Sequence, residues 1–402
     1  MTGNEQAAVQ RPTHASLMKG EANQGKKHKG GRVMRMKAAV CRAVNQPISV
    51  EEVNLAAPKE KEVLVKTEYC GFCHSDLSAI NGTTPFPMPV VIGHEASGIV
   101  VDMGPGVTTL NKGDHVIGTW LIACGHCPEC RAGWPYLCRA STEARRTGNL
   151  LDFTSRLSDA NGEILKHSGY ISGLAEYMVL PEEAAIKIRD DMPLDQASFL
   201  GCCMPTGFGA VTNVAQVRPG QSAAIWGVGG VGLNVVQGCR MRGANPIIAV
   251  DLEGSKENVA REFGATHFIN SSKDDPVPII LKLTDGGARF CFEVAGDAGA
   301  VVQAFWALAP KGKLIPVGAP GPEATAALPT FFLGHHCNSI EGTVYGNISP
   351  KEDIPAFVDL IMRGDYKLDK LIGRKFKLQE INEVVDAMTK RQILGRWVCA
   401  FD

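Results

Sequence analysis

Cys124, Cys127, Cys130 and Cys138 follow the pattern C-x2-C-x2-C-x7-C. Spacing this short lets one loop wrap a tetrahedral metal with four thiolates, which leaves no position for a substrate. The expected role is therefore structural: zinc organises a loop that also holds Gly125, Pro128, Gly133 and Pro135 and has little apolar core of its own. An iron–sulfur cluster takes the same four ligands and stays open as the rival reading. A second set, Cys73-His74-Ser75-Asp76, Gly93-His94-Glu95 and Gly201-Cys202, is scattered along the chain. Together it offers two thiolates and one imidazole, a donor set that keeps one metal position open for Lewis-acid chemistry. Sequence alone does not make these three segments meet, and a lone buried Cys or His is commonly a packing residue.

Gly227-Val228-Gly229-Gly230-Val231-Gly232 fits G-x-G-x-x-G directly after the apolar run 222–226. The first glycine permits a tight turn, the second lets a pyrophosphate approach the backbone, and the third lets helix and strand pack closely. The phosphate charge would then sit at a helix N-terminus, where free N–H groups favour an anion. Asp251 lies 19 residues beyond Gly232, at the end of the next apolar run. A carboxylate there accepts ribose hydroxyl hydrogens and repels a 2′-phosphate, so NAD is expected over NADP. A glycine-rich turn of purely structural use is the alternative.

The elements that must position these groups divide the chain. Residues 1–35 are basic, with few apolar residues and no period, and read as a mobile extension. Short β runs at 37–41 and 62–66, bounded by Pro47 and Pro58, suggest an antiparallel β domain. From 204 to 346 strand, glycine turn and helix alternate, with strands expected at 222–226, 247–251, 290–294 and 312–317. That is the sequence form of a doubly wound parallel sheet. Amphipathic helices are expected near 355–363 and 379–389. The domains are then 36–203 with 347–402, interrupted by a dinucleotide-binding domain at 204–346.

Apolar residues are 45% of the 402, charged residues 21%, and the net charge is −1. Such a chain has no overall field to hold nucleic acid or an anionic membrane, and a small-molecule partner is expected. No apolar stretch approaches ~20 residues and no signal sequence is readable, so the expected location is the cytoplasm. Thirteen cysteines in a reducing compartment point to metal chemistry before disulfides.

From Met36 to Phe401 the chain resembles the zinc-dependent medium-chain alcohol dehydrogenases, with all the motifs above in the family's order and spacing. The resemblance implies a Rossmann domain inserted in a mostly β, partly open barrel-like (GroES-like) catalytic domain, and reversible NAD-linked oxidation of an alcohol. It implies Cys73, His94 and Cys202 as catalytic zinc ligands, with Cys203 a neighbour, Asp76 orienting His94, and Glu95 approaching the metal during ligand exchange. Ser75 would bond the substrate oxygen and carry its proton away. His74 and Arg396 would hold the pyrophosphate, Lys256 would sit by the ribose beside Asp251, and Thr206, Gly227, Gly229, Gly230, Val231 and Gly232 would complete the cofactor contacts. Two zinc ions per chain follow.

The 64 positions from Cys138 to Cys202 match the family's longer-loop branch, which implies a homodimer, with a homotetramer as the other assembly. Strands near 313–317 and 339–344 would meet across its two-fold axis. Trp120 falls where the family narrows the pocket beside the zinc, and Thr84 where small-alcohol enzymes carry a large aromatic. No acidic residue stands between Asp76 and Glu95, which places a primary aliphatic or aromatic alcohol ahead of a glutathione adduct. Aryl-alcohol or polyol oxidation is the nearest alternative, and a catalytically silent NAD-binding protein the more distant one. Where many relatives end their proton relay in a histidine, this chain has Ser78, so the proton is expected to leave by water.

Overall fold

The computed structural model describes residues 33–401. The basic extension therefore lies outside the described residues except for its last three, and these are not extension. They begin the strand Val33–Cys41, which pairs antiparallel with Ser49–Ala56 from Val33 opposite Ala56 onward. Val33 and Arg35 face out while Met36 is buried, the period-two pattern of a half-buried strand. Its basic residues hid it, because Arg35 lies on the solvent face and pairs with Glu52 at 3.2 Å.

Three sheets form the described chain. Val33–Cys41, Ser49–Ala56, Leu157–Ser158, Ile164–His167 and Val90–Val91 close into a small barrel. Beside it runs an open sheet in the order Ala185–Lys187, His115–Gly118, Glu95–Met103, Glu62–Gly71, Arg396–Ala400, Ile372–Phe376, with Tyr177–Pro181 also paired to Glu62–Gly71. The chain's last strand thus occupies the interior of a sheet begun by its first third. The barrel expectation is met in part by closure and in part by this open neighbour.

The third sheet is wholly parallel, in the order His267–Asn270, Ile247–Asp251, Ala223–Trp226, Ala288–Glu293, Leu308–Pro316, Ser339–Ile340. Its middle strands are buried on both faces, which explains why they read as unbroken apolar runs. The strand expected over 339–344 is only the pair Ser339–Ile340. It stops before a turn in which Tyr345, Gly346 and Asn347 all have positive φ.

The helices expected near 355–363 and 379–389 are Pro350–Met362 and Ile381–Thr389. Pro350 opens the first, where its missing N–H costs nothing. Phe208, on the helix Cys203–Gly209, meets Phe357 and Tyr366 edge-on at 5.4 Å. One apolar core therefore runs from the parallel sheet's helix Gly230–Met241 through Phe208 to Pro350–Met362. A second core fills the barrel side, and a third lies on the other face of the parallel sheet.

Candidate active site and metal centres

Cys73 follows the strand Glu62–Gly71 and caps the helix His74–Ile80. Asp76 locks that corner: its Oδ2 accepts from the Cys73 backbone N–H at 2.9 Å and its Oδ1 from that of Gly93 at 3.2 Å. The same Oδ1 lies 3.0 Å from His94 Nδ1. With Nδ1 so engaged, the imidazole presents Nε2 to its other side, the arrangement that fixes a metal-binding tautomer. Gly93 makes the bend possible, since its φ is +95° and a Cβ there would stand 2.6 Å from the Leu174 backbone nitrogen.

The tertiary structure brings Cys73, His94, Glu95 and Cys202 into one buried group whose donor atoms all lie within 4.8 Å of one another. Hydrogen bonding with Cys202 holds the Cys73 thiol well below its usual range, and the same contact raises Cys202. Burial opposes a charge on His94, but Asp76 and Cys73 outweigh it and raise its pKa. Burial pushes Glu95 up to about 8, against the pull of Arg396. Glu95 Oε2 is buried with no hydrogen-bond partner. Two thiols, an imidazole nitrogen and an unpartnered carboxylate oxygen form a donor set that fits zinc. Cys203 stands apart from this group, its Sγ 3.8 Å from the Phe199 carbonyl oxygen.

Cys124, Cys127, Cys130 and Cys138 form the second group within the same 4.8 Å. Backbone N–H groups of Cys124, Cys127 and Cys130 point at the sulfurs of Cys138, Cys124 and Cys127, at 3.3, 3.3 and 3.5 Å. Such donors favour thiolates, and hydrogen bonds of this kind bring Cys124 down to about 6 while burial takes Cys130 up to about 12. Four sulfurs and no other ligand close this centre to substrate.

Ser75 is exposed between buried Cys73 and Asp76, its Oγ 3.2 Å from Cys73 Sγ, and His74 is exposed beside it. Ser78 is buried. Thr206 donates its hydroxyl to the Cys202 carbonyl at 2.7 Å, which leaves its oxygen free to accept.

At the glycine turn a Cβ on Gly232 would stand 1.9 Å from the Gly227 carbonyl oxygen, whereas one on Gly229 would meet nothing within 4 Å. The open side is at Gly229, just before the helix Gly230–Met241, a helix start whose free N–H groups favour an anion. Asp251 Oδ2 accepts from the Val228 backbone N–H at 2.9 Å, and both carboxylate oxygens face Lys256 Nζ at 3.1 and 3.0 Å. Arg396 is buried at the junction of turn and metal group. Its guanidinium lies 2.9 Å from where a Gly230 Cβ would be, and its Nη2 is 3.0 Å from Glu95 Oε1.

Two neighbours of the site were not foreseen. Tyr345 stacks on Trp120, with ring centroids 4.7 Å apart, and donates its hydroxyl to the Leu200 and Gly201 carbonyls beside Cys202. Arg145 stands over the Trp120 ring at 4.7 Å. Neither belongs to a motif, so no sequence signal marks them.

A parallel dinucleotide-type sheet joined to a barrel lobe that carries a buried thiol–imidazole centre defines a two-lobed dehydrogenase. Residues 59–190 match the alcohol dehydrogenase GroES-like domain and residues 230–363 the zinc-binding dehydrogenase family. Alcohol dehydrogenase class-3 of Cereibacter sphaeroides is 37% identical over 365 residues, 88% of this chain and 97% of that one. S-(hydroxymethyl)glutathione dehydrogenase of Paracoccus denitrificans is 37% identical over 369 residues, covering 88% and 97%. Among solved structures, benzyl alcohol dehydrogenase from Acinetobacter calcoaceticus superposes with a TM-score of 0.86 at 33% identity, covering 92% of this chain and all of that one. The chain belongs to the zinc-dependent alcohol dehydrogenase family.

Proposed function

We propose that the protein oxidises a primary alcohol, aliphatic or aromatic, to its aldehyde with NAD, reversibly, at the Cys73–His94–Cys202 centre. The observation that carries this reading is the buried donor group with an unpartnered Glu95 oxygen, flanked by the exposed hydroxyl of Ser75. When bound, zinc supplies a Lewis acid that lowers the pKa of the alcohol oxygen, and NAD supplies the hydride acceptor.

The chain's own residues supply the rest. Asp76 fixes His94 and the Cys73 corner through three hydrogen bonds. Ser75 accepts the substrate hydroxyl's proton while passing its own to water. The glycine turn, His74, Thr206 and Arg396 hold the pyrophosphate side, and Asp251 with Lys256 faces the adenosine ribose. Residues 36–203 with 347–402 carry the catalytic centre, and 204–346 carry the dinucleotide. The four-cysteine lobe holds a second, structural zinc. The benzyl alcohol dehydrogenase likeness favours an aryl alcohol as the second substrate reading.

Two exposed features support a homodimer: the edge strand Ser339–Ile340 and the neighbouring Phe331 and Trp306, which are 62% and 43% exposed. An open strand edge beside apolar surface is what a two-fold sheet extension covers. No helix among the described residues is long and apolar enough to cross a membrane. Separately, none of the thirteen cysteines is in a disulfide, which fits a reducing compartment such as the cytoplasm. NAD reduction by the zinc-loaded protein, screened across ethanol, hexanol, benzyl alcohol and S-(hydroxymethyl)glutathione, tests the reading. Activity with benzyl alcohol or hexanol is expected, and no reduction with any alcohol overturns it.

A further inference from the structure

Arg145 lies in the last turn of the helix Arg139–Arg146, which leaves the four-cysteine lobe. Its guanidinium carbon is 4.7 Å from the centroid of the Trp120 ring. Nearby cations are accounted for differently: Arg139 pairs with Glu129 at 2.5 Å and Arg156 with Glu62 at 2.5 Å. No carboxylate among the described residues acts on Arg145. Tyr170 is the one ionisable neighbour, and its phenol is spent donating to the Ser141 carbonyl on the same helix. Glu143, two residues back, leaves that helix on another side. Burial lowers the Arg145 pKa, so this cation is partly desolvated without a counter-ion. That is a costly arrangement unless a ligand completes it.

Its place in the fold says which ligand. Trp120 is wedged beside the metal group at two points. A Cβ on Gly169 would be 2.8 Å from Trp120 Cβ and 3.8 Å from His94 Cβ. On the other side the Trp120 ring meets Tyr345, which is bonded to the carbonyl preceding Cys202. The indole Nε1–H is buried with no acceptor. An unpaired guanidinium and an unpaired N–H donor therefore meet at the Trp120 side chain, whose other neighbours lead to His94 and to the carbonyl before Cys202, and both want an acceptor.

We propose that Arg145 is a specificity-determining residue that binds a carboxylate carried by the substrate at the end remote from its hydroxyl. The preferred substrate is then a hydroxymethyl-substituted aryl or alkyl carboxylate. This rests on the alcohol-oxidation reading above. Arg145 suits the task because its planar fork grips a carboxylate through two donors while its face stays on the indole. The uncharged Trp120 wall lets the spacer between the two ends be apolar.

The test compares 4-(hydroxymethyl)benzoate with 4-(hydroxymethyl)benzamide, a neutral near-isostere, and with benzyl alcohol, on the zinc-loaded protein and NAD. The acid is expected to exceed the amide in kcat/KM by about tenfold or more, mainly through KM, with the advantage shrinking as salt rises. Arg145→Gln should bring the two close to equality, and Arg145→Lys should keep part of the preference. Arg131→Gln, on the exposed surface of the four-cysteine lobe, is the control that should keep it all. Equal use of acid and amide by the unaltered protein, or an undiminished preference in Arg145→Gln, overturns the proposal and leaves alcohol oxidation standing. If no alcohol is oxidised, the reading of function falls. Calorimetric binding of 4-methylbenzoate against 4-methylbenzamide then decides Arg145 separately: tighter binding of the acid supports the anion site, and equal binding ends it.

Discussion

Glu95 and Arg396, 301 residues apart, meet at 3.0 Å in a site where their side chains are 0% and 5% exposed. Strand register explains the meeting. Glu95 stands opposite Gly71 in one strand pair, and Val398 stands opposite the same Gly71 in the next. Gly71 leaves room for the carboxylate, since a Cβ there would lie 2.4 Å from Glu95 Oε2 and force it to shift. Removing one partner from a buried pair strands the other charge. Above about pH 8, where Glu95 is ionised, Arg396→Met should therefore lower the unfolding free energy by about 3–5 kcal/mol, with Glu95→Gln in the same chain recovering part. Urea denaturation of the single and double variants measures this, and additive losses would mean that the pair is not coupled.

The two metal groups should separate in behaviour. Purified protein should carry about two zinc ions per chain. Cys73→Ala should abolish turnover and leave the four-cysteine zinc in place, whereas Cys127→Ala should lower thermal stability and yield. Elemental analysis with melting curves checks both, and iron with acid-labile sulfide in the lobe would reverse the assignment.

Cofactor choice should follow Asp251. Its carboxylate is held by Val228 N–H and Lys256, so Asp251→Gly removes a repelling charge and frees a cation. The ratio of NADP to NAD use should rise by about tenfold or more. Steady-state kinetics with both cofactors decides, and a native preference for NADP would sink the assignment.

Proton exit should depend on Ser75 and not on Ser78. Ser75 is exposed beside Cys73, while Ser78 is buried. Ser75→Ala should cut turnover by about two decades, the scale of lost positioned acid–base help, and Ser78→Ala should do little. Turnover against pH with protonated and deuterated alcohol compares them, and an equal loss from Ser78→Ala would make Ser78 an obligatory relay member.

Acid stability should report His167. This side chain is fully buried in the barrel, where its Nε2 accepts the Arg156 backbone N–H at 3.1 Å. Burial, helped by the Arg156 charge, lowers its pKa to about 3. An unfolded histidine takes up its proton near pH ~6.5, well before the folded one does. The contribution to stability is therefore whole above that pH and is lost as pH falls towards 3, at up to about 1.4 kcal/mol per pH unit. His167→Gln should flatten this part of the stability–pH curve, measured by urea midpoints, and an unchanged slope would refute it.

The sequence was informative wherever function is local. The four-cysteine lobe spans Cys124 to Cys138, and the glycine turn spans Gly227 to Gly232. Each is built by one short segment whose spacing is itself the geometry. Alternation of apolar runs with glycine turns likewise revealed the parallel sheet, because strands buried on both faces must be apolar throughout. Only the start of the strand Val33–Cys41 escaped, its second half being expected at 37–41, because Arg35 and Lys37 on its outward face blend with the basic run before it. The strand at Ser339 proved short because the positive-φ turn at Tyr345 and Gly346 cuts in close behind it.

What only the tertiary structure decided is the company these groups keep. Cys73, His94 and Cys202 share one buried space because a helix cap, a bend at Gly93 and the start of another helix converge there. Arg396 reaches Glu95 because the last strand of the chain enters the middle of a sheet laid down by the first. The pairing of Trp120 with Tyr345, and the cation of Arg145 set over that indole with no carboxylate among the described residues to answer it, depend on side chains from separate segments arriving at one place. Spacing along a chain fixes a contact only when the chain between is too short to go elsewhere; across hundreds of residues, packing and strand register make the choice.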